Sequence, residues 1–231
     1  MNNQLLSLYS SKWDKLCPAI KLINEDNSLE IKPANPLLVF VDKEEEYLNA
    51  DIRVIIYGQE TNGWYGDFNT DINSILDYYN KFYNGGRCWK YGGQFWNGYR
   101  KFWTMLEEKF PNKKIRYIWN NIVKIGKSNG KGFPPNYIYK VERNHFSIIK
   151  DELKILKPNI VLFFTGPNYD RFITDNFGQL SYTALSSFNS RQLAKISLSG
   201  TDFAFRTYHP NYLWRNDIDS FFRVILNEIK Y

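Results

Sequence analysis

A carboxylate, several amides and a histidine each follow a run of apolar residues in this chain. Gln59 and Glu60 come after Arg53-Val-Ile-Ile-Tyr57-Gly58, with Asn62 close behind. Asn120 and Asn121 come after Lys114-Ile-Arg-Tyr-Ile-Trp119. Gly166 follows Ile160-Val-Leu-Phe-Phe164, and His209 follows Phe203-Ala-Phe-Arg-Thr-Tyr208. A β-branched or aromatic run bounded by Gly, Asn or Pro reads as a strand. In an open α/β sheet, parallel strands gather their carboxyl ends on one edge, where ligands bind. Acid, amides and one imidazole converging there would orient a substrate, hold a water and donate to a developing anion. The same strings also read as ordinary polar strand ends, and the residue types alone leave both readings open. The other histidine, His145, falls in a helix beside Asn144, where exposure or capping accounts for it.

Positioning these groups is the task of the elements between them. Leu5, Leu6, Leu8, Tyr9, Trp13 and Leu16 have helical spacing, and Pro18 is expected to end or bend that helix. Residues 25–50 read as an irregular connection with Pro33, Pro36 and an acidic run at 44–46, with a short strand at 37–41 as the alternative. A helix is expected from Asp71 to about Phe82, capped by Asp71 or Thr70 and stopped by Gly85-Gly86. A loop over 87–93 precedes a helix from Gln94 to Lys109, with Phe95, Tyr99, Phe102 and Leu106 inward. Residues 128–136 read as loop, 142–156 as one helix, and a short helix begins near Asn168. From Leu180 the period changes to two, over 181–185 and 193–198, with a tight turn at 199–202 and a last helix over 217–229. Strands alternating with helices predict an α/β fold, a three-layer α/β/α sandwich with a central, mostly parallel four-stranded sheet and an antiparallel edge pair. Residues 1–50 are expected as an extension packed on an α/β domain of residues 51–231.

The 231 residues suffice for a full core, and 43% hydrophobic with 23% charged residues exclude a disordered chain. Aromatics reach 18%, more ring surface than a core of this size usually needs; some could stack on bases or sugars. An AT-biased coding sequence accounts equally well for abundant Tyr, Asn and Lys. A net charge of +6, scattered rather than gathered in a tail, is compatible with a polyanionic partner. Cys17 and Cys88 form no close pair, so neither zinc nor a disulfide framework is indicated. No apolar run has membrane-spanning length and no signal-peptide core is present, so a cytoplasmic protein is expected, without membrane partner, cofactor or metal.

Four motifs resemble, in order, those of the uracil-DNA glycosylase superfamily. Tyr57-Gly58-Gln59-Glu60-Thr61-Asn62 stands where the family has a strand followed by Gly-Gln-Asp-Pro-Tyr or Gly-Glu-Ala-Pro-Gly. Asn121-Ile-Val-Lys124 is similar to the Asn-Val-Val-Lys string of the family's iron–sulfur branch. Lys157-Pro-Asn-Ile-Val-Leu-Phe-Phe-Thr-Gly166 resembles Lys-Pro-x-Ile-Val-x-x-x-Gly with one extra residue. Thr207-Tyr-His-Pro-Asn-Tyr-Leu-Trp-Arg-Asn216 is the sharpest match, to Tyr-His-Pro-Ala-x-Leu-Leu-Arg-Asn. The resemblance runs from about residue 50 to the end.

What it implies is N-glycosidic hydrolysis of uracil or another damaged base in DNA, by a monomer. His209 would donate to a base carbonyl, Gln59 would contact the base, and Glu60 would position or activate the water or stabilise the sugar cation. Asn121, or Asn120 beside it, would read the base edge together with Asn62. Tyr91 would stack on the base, with Trp64 and Trp89 as rivals. Leu213 and Trp214 stand where the family drives a wedge into the duplex, and Arg215 and Gly166 would contact the DNA backbone; Lys124 and Lys131 would add positive charge. The pattern departs at the chemistry. The proline of the first motif is replaced by Thr61-Asn62, its activating Asp is a Glu one methylene longer, and the iron–sulfur cysteines are missing. A nucleic-acid-binding protein of the same fold without catalysis, or a hydrolase of a small nucleoside-like ligand, are the alternatives.

Overall fold

The computed structural model describes residues 1–231. Helix α1 (Asn2–Glu25) buries Leu5, Tyr9, Trp13, Leu16, Ile20 and Ile23 along one stripe. Pro18 lies inside this helix rather than ending it, because Ile20 and Ile23 carry the buried stripe past the missing N–H. The 25–50 segment is more regular than its prolines suggest: it holds strand β1 (Pro33–Pro36) and helix α2 (Glu44–Leu48). Strand β2 (Ile52–Gly58) leads to helix α3 (Ile72–Tyr79), where the Asp71 carboxylate accepts from the Asn73 N–H. A π-helical turn, Asn80–Asn84, continues it to Gly85.

The expected loop after Gly86 contains a short helix, α4 (Arg87–Tyr91), bracketed by glycines that punctuate it at both ends. Helix α5 (Gln94–Lys109) matches its periodicity, burying Trp96, Tyr99, Phe102 and Leu106. Strands β3 (Ile115–Asn121) and β4 (Ile125–Lys127) follow. The single helix expected over 142–156 is two, α6 (Asn136–His145) and α7 (Ile149–Leu156). They part at Phe146, whose ring turns into the core, 6.5 Å from Tyr9 and 5.8 Å from Trp13. Strand β5 (Ile160–Phe164) passes through a 3-10 turn into helix α8 (Asp170–Phe177). Strands β6 (Tyr182–Ala184), β7 (Leu193–Ile196) and β8 (Phe203–Thr207) come next, then helices α9 (Pro210–Leu213) and α10 (Ile218–Glu228).

These elements sort into two compact units built from discontinuous segments. One comprises residues 1–42, 59–85 and 121–156. Within it β1 pairs antiparallel with β4, and α1 packs on α6 and α7. Asn35, fully buried, donates to the carbonyls of Trp64 and Asp67 at 3.0 and 3.1 Å and accepts from the Asn69 N–H, folding the 64–69 loop onto β1.

The other unit, residues 43–58, 86–120 and 157–231, holds a mixed six-stranded sheet of order β3-β2-β5-β8-β7-β6. β2, β5 and β8 are parallel, with Tyr57, Phe163 and Arg206 in register. β7 and β6 are antiparallel and join the same sheet, so the sheet is six-stranded rather than four-stranded. β5 shows why its strand is apolar throughout. Phe164 meets Phe102 of α5 and Phe222 of α10, while its neighbour Phe163, facing the opposite way, meets Phe177 of α8. Arg206 is buried in β8, where Asp170 takes a bidentate pair at 2.8 and 3.0 Å and the carbonyls of Ser190 and Arg191 accept from two more of its N–H groups. No helix is long and apolar enough to cross a membrane.

Candidate functional site

In the sheet-bearing unit, β2, β5 and β8 deliver their carboxyl ends to one edge, and His209 stands two residues past the end of β8. Its Nδ1 accepts from the Asn211 N–H at 3.1 Å, so the imidazole caps α9. The ring lies 5.8 Å from Phe95 of α5 at 30°, and Phe95 in turn meets Phe164 of β5 edge-on. Burial pushes the His209 pKa down to about 4, so the imidazole is neutral at physiological pH. With Nδ1 accepting, the one ring proton sits on Nε2. The result is a fixed, neutral N–H donor at the edge where three parallel strands end.

The segment that carries His209 is held against α5 by a close approach. A Cβ on Gly98 would fall 2.6 Å from Pro210 Cβ and 2.8 Å from its Cγ. Gly98→Ala is therefore expected to destabilise the protein by about 1–3 kcal/mol through overpacking, even though alanine favours a helix by about 1 kcal/mol. Thermal melting checks this; a variant as stable as the parent would mean that α9 can slide off α5 freely.

Gly166 and the run after His209 belong to the same unit. The Gly166 N–H donates to the Thr207 carbonyl at 2.9 Å, so that donor ties β5 to β8 rather than standing open to a phosphate. Leu213, expected as a wedge, is fully buried and cannot enter a duplex without leaving the core. Trp214 is 40% exposed and Arg215 is exposed. Tyr91 is 63% exposed, as a stacking ring must be, and its rival Trp89 is half-buried. Asn120 is fully buried in β3.

In the other unit, Gln59 and Glu60 are half-buried, Asn62 is exposed and Asn121 is buried. The Val123 N–H donates to the Gln59 carbonyl at 3.0 Å, and Asn62 forms a bridge with Lys127. The 59–62 turn thus lies along the 122–127 segment, close enough that a Cβ on Gly126 would fall 2.4 Å from the Thr61 carbonyl. Trp64 is buried against Tyr65 and Phe82, which excludes it as a stacking platform.

That segment is fixed from behind by charges the chemistry does not use. Lys124, expected to attract DNA, is fully buried and pairs with Glu152 at 2.9 and 3.0 Å. Tyr9 donates its hydroxyl to the same carboxylate at 2.8 Å. Glu142 accepts from the Lys124 and Ile125 N–H groups at 3.0 and 2.8 Å. Burial pulls the Lys124 pKa down and raises that of Glu142 to about 7. Lys131 is exposed and remains available as a surface cation.

The structure thus places His209, Phe95 and the strand ends together in one unit, and Gln59, Glu60, Asn62 and Asn121 along one turn and segment of the other. Phe95 was hidden because helical spacing marks it as core, while its stacking on an imidazole depends on the end of β8. Tyr9, Glu142 and Glu152 carry no local signal as supports, since Glu152 lies 28 and 143 positions from its partners. Comparison with protein-family models and with curated proteins finds no match to this chain.

Proposed function

We propose that the chain is a DNA glycosylase-like protein that hydrolyses the N-glycosidic bond of uracil or another damaged base. A three-layer α/β/α arrangement around the parallel strands belongs to the same reading. The observation that carries it is His209, a neutral imidazole with its proton on Nε2, fixed by Asn211 and Phe95 at the carboxyl edge of the sheet. Cleavage sends the bonding pair of the C–N bond into the base, where charge collects on a carbonyl oxygen, while water adds to the sugar carbon. A pre-aimed neutral donor stabilises that oxygen without having to lose a charge of its own. The resemblance supplies the remaining roles: Glu60 for the water or the sugar cation, Asn121 for the base edge, Gln59 and Asn62 as contacts. The target base must leave its stack, at a cost of a few kcal/mol.

A hydrolase acting on a small nucleoside-like ligand is the second reading. It is favoured by the burial of Leu213 and Lys124, which removes a wedge and a cation that duplex binding would use. The two readings part on affinity and turnover. DNA binding is expected to be micromolar or tighter at low salt and to weaken steeply as salt rises. Duplexes carrying a panel of damaged bases are expected to yield abasic sites, read as strand scission after alkali. Salt-independent or absent binding, with release of free base from nucleosides, moves the function to the small-ligand hydrolase; binding with no scission on any base leaves a non-catalytic DNA-binding protein.

A further inference from the structure

The outward face of α5 carries a feature unrelated to the imidazole. Gln94, Asn97, Arg100 and Lys101 recur at three- and four-residue spacing and, with Trp214, line an open cavity of about 690 Å³. That volume falls within the roughly 300–1,000 Å³ of ordinary ligand sites. Trp214 is the most exposed tryptophan side chain on this face at 40%, and Lys101 Nζ lies 5.7 Å from its ring centre. Lys101 is itself held by Asp219 at 2.8 Å, so the partly exposed indole rests on a fixed cation. Arg100 makes no ion pair. Its guanidinium lies over Trp89 at 5.1 Å, which fixes the plane of its N–H donors. Arg87 and Lys90 on α4 and Arg215 beyond Trp214 are exposed cations on the elements adjoining this face. Glu108 also lines the cavity and Asp219 neutralises Lys101, so Arg100 is the lining cation left to meet an anion.

We infer that this groove binds single-stranded nucleic acid, with a base stacked on Trp214 and a backbone phosphate on Arg100. An aromatic platform alternating with cations along a groove is the arrangement that holds single strands without reading their sequence. Trp214 acts here as a platform laid on Lys101, not as a wedge. The inference goes beyond the reading of His209 and does not rest on it, since none of these residues takes part in bond cleavage.

The test is binding of a fluorescent oligothymidylate and of a hairpin duplex of equal charge, with heparin as a polyanion control. Trp214→Ala is expected to weaken binding of the single strand roughly tenfold or more while leaving its salt dependence unchanged. Arg100→Ala is expected to weaken it and to reduce the slope of log K against log salt by about 0.7. Lys150→Ala, which removes an exposed cation from the other unit, is expected to change neither. Thermal melting verifies that both groove variants remain folded. Single-strand affinity that is absent in the parent, or equal in parent, Trp214→Ala and Arg100→Ala, overturns the inference. So does an equal loss on heparin in Trp214→Ala, which would leave no role for base stacking. Excision without single-strand binding at this face defeats the groove alone. Trp214-dependent binding by a protein that excises no base upholds the groove and defeats the glycosylase reading.

Discussion

Glu152→Ala is expected to lower the free energy of unfolding by about 3–5 kcal/mol, a large share of the roughly 5–15 kcal/mol that holds a typical domain. The carboxylate is fully buried and bonds both Lys124 Nζ and the Tyr9 hydroxyl. Removing it leaves a fully buried ammonium without its carboxylate, while the Tyr9 hydroxyl keeps only the Val39 backbone, its carbonyl at 3.3 Å and its N–H at 3.1 Å. Tyr9→Phe should cost far less, about 1–1.5 kcal/mol, because the Lys124–Glu152 pair survives it. The double replacement Lys124→Met with Glu152→Leu is expected to recover much of the single-variant loss, since neither charge then needs a partner. Urea denaturation of the set checks this. A Glu152→Ala variant within 1 kcal/mol of the parent would mean that Lys124 reaches solvent, and that the 121–125 segment is not pinned as described.

His209→Ala is expected to slow base excision roughly ten- to thousandfold, the loss that follows when one donor to a developing anion is removed. Its cost in stability should stay near 1 kcal/mol, that of a lost helix cap. Glu60→Gln should reduce excision separately, by weakening the hold on water or sugar. The pH dependence has a defined sign. The folded-state pKa of about 4 lies below the ordinary value near 6.5, so the unfolded chain binds the proton more readily. The stability that His209 contributes is fully present above about pH 6.5 and is lost as pH falls through the folded value; His209→Ala removes that slope. Single-turnover excision, melting curves at several pH values and NMR titration of the imidazole measure all of it. A variant that melts well below the parent yet excises at the parental rate would reduce His209 to a structural cap.

The strands that frame the site were legible because they are nearly all apolar and end at punctuating residues: Arg53 to Gly58, Ile160 to Phe164 and Phe203 to Thr207. Asp71 and Asp217 were legible as helix starts for a local reason, a side chain reaching an N–H two or three residues on. The short helix at Arg87–Tyr91 was not, because glycines that usually mark a loop here mark its two ends. Nor was the break at Phe146, since the spacing of apolar residues runs on through it while the ring is claimed by Tyr9 and Trp13 of α1.

By itself the sequence determined the alternation of strands and helices, the polar character of the strand ends and the place of the one histidine among them. These follow from periodicity and turn chemistry, which act over a few residues. Only the tertiary structure decided which charges and rings face solvent. Lys124 and Leu213 stand in motifs that suggest contact with DNA, yet both are buried, because Glu152, Tyr9 and the α5–α9–α10 packing close over them. Pro18 stays in its helix and the prolines of β1 join a strand for the same reason. Burial is a property of segments brought together from distant parts of the chain. No run of neighbouring residues encodes it.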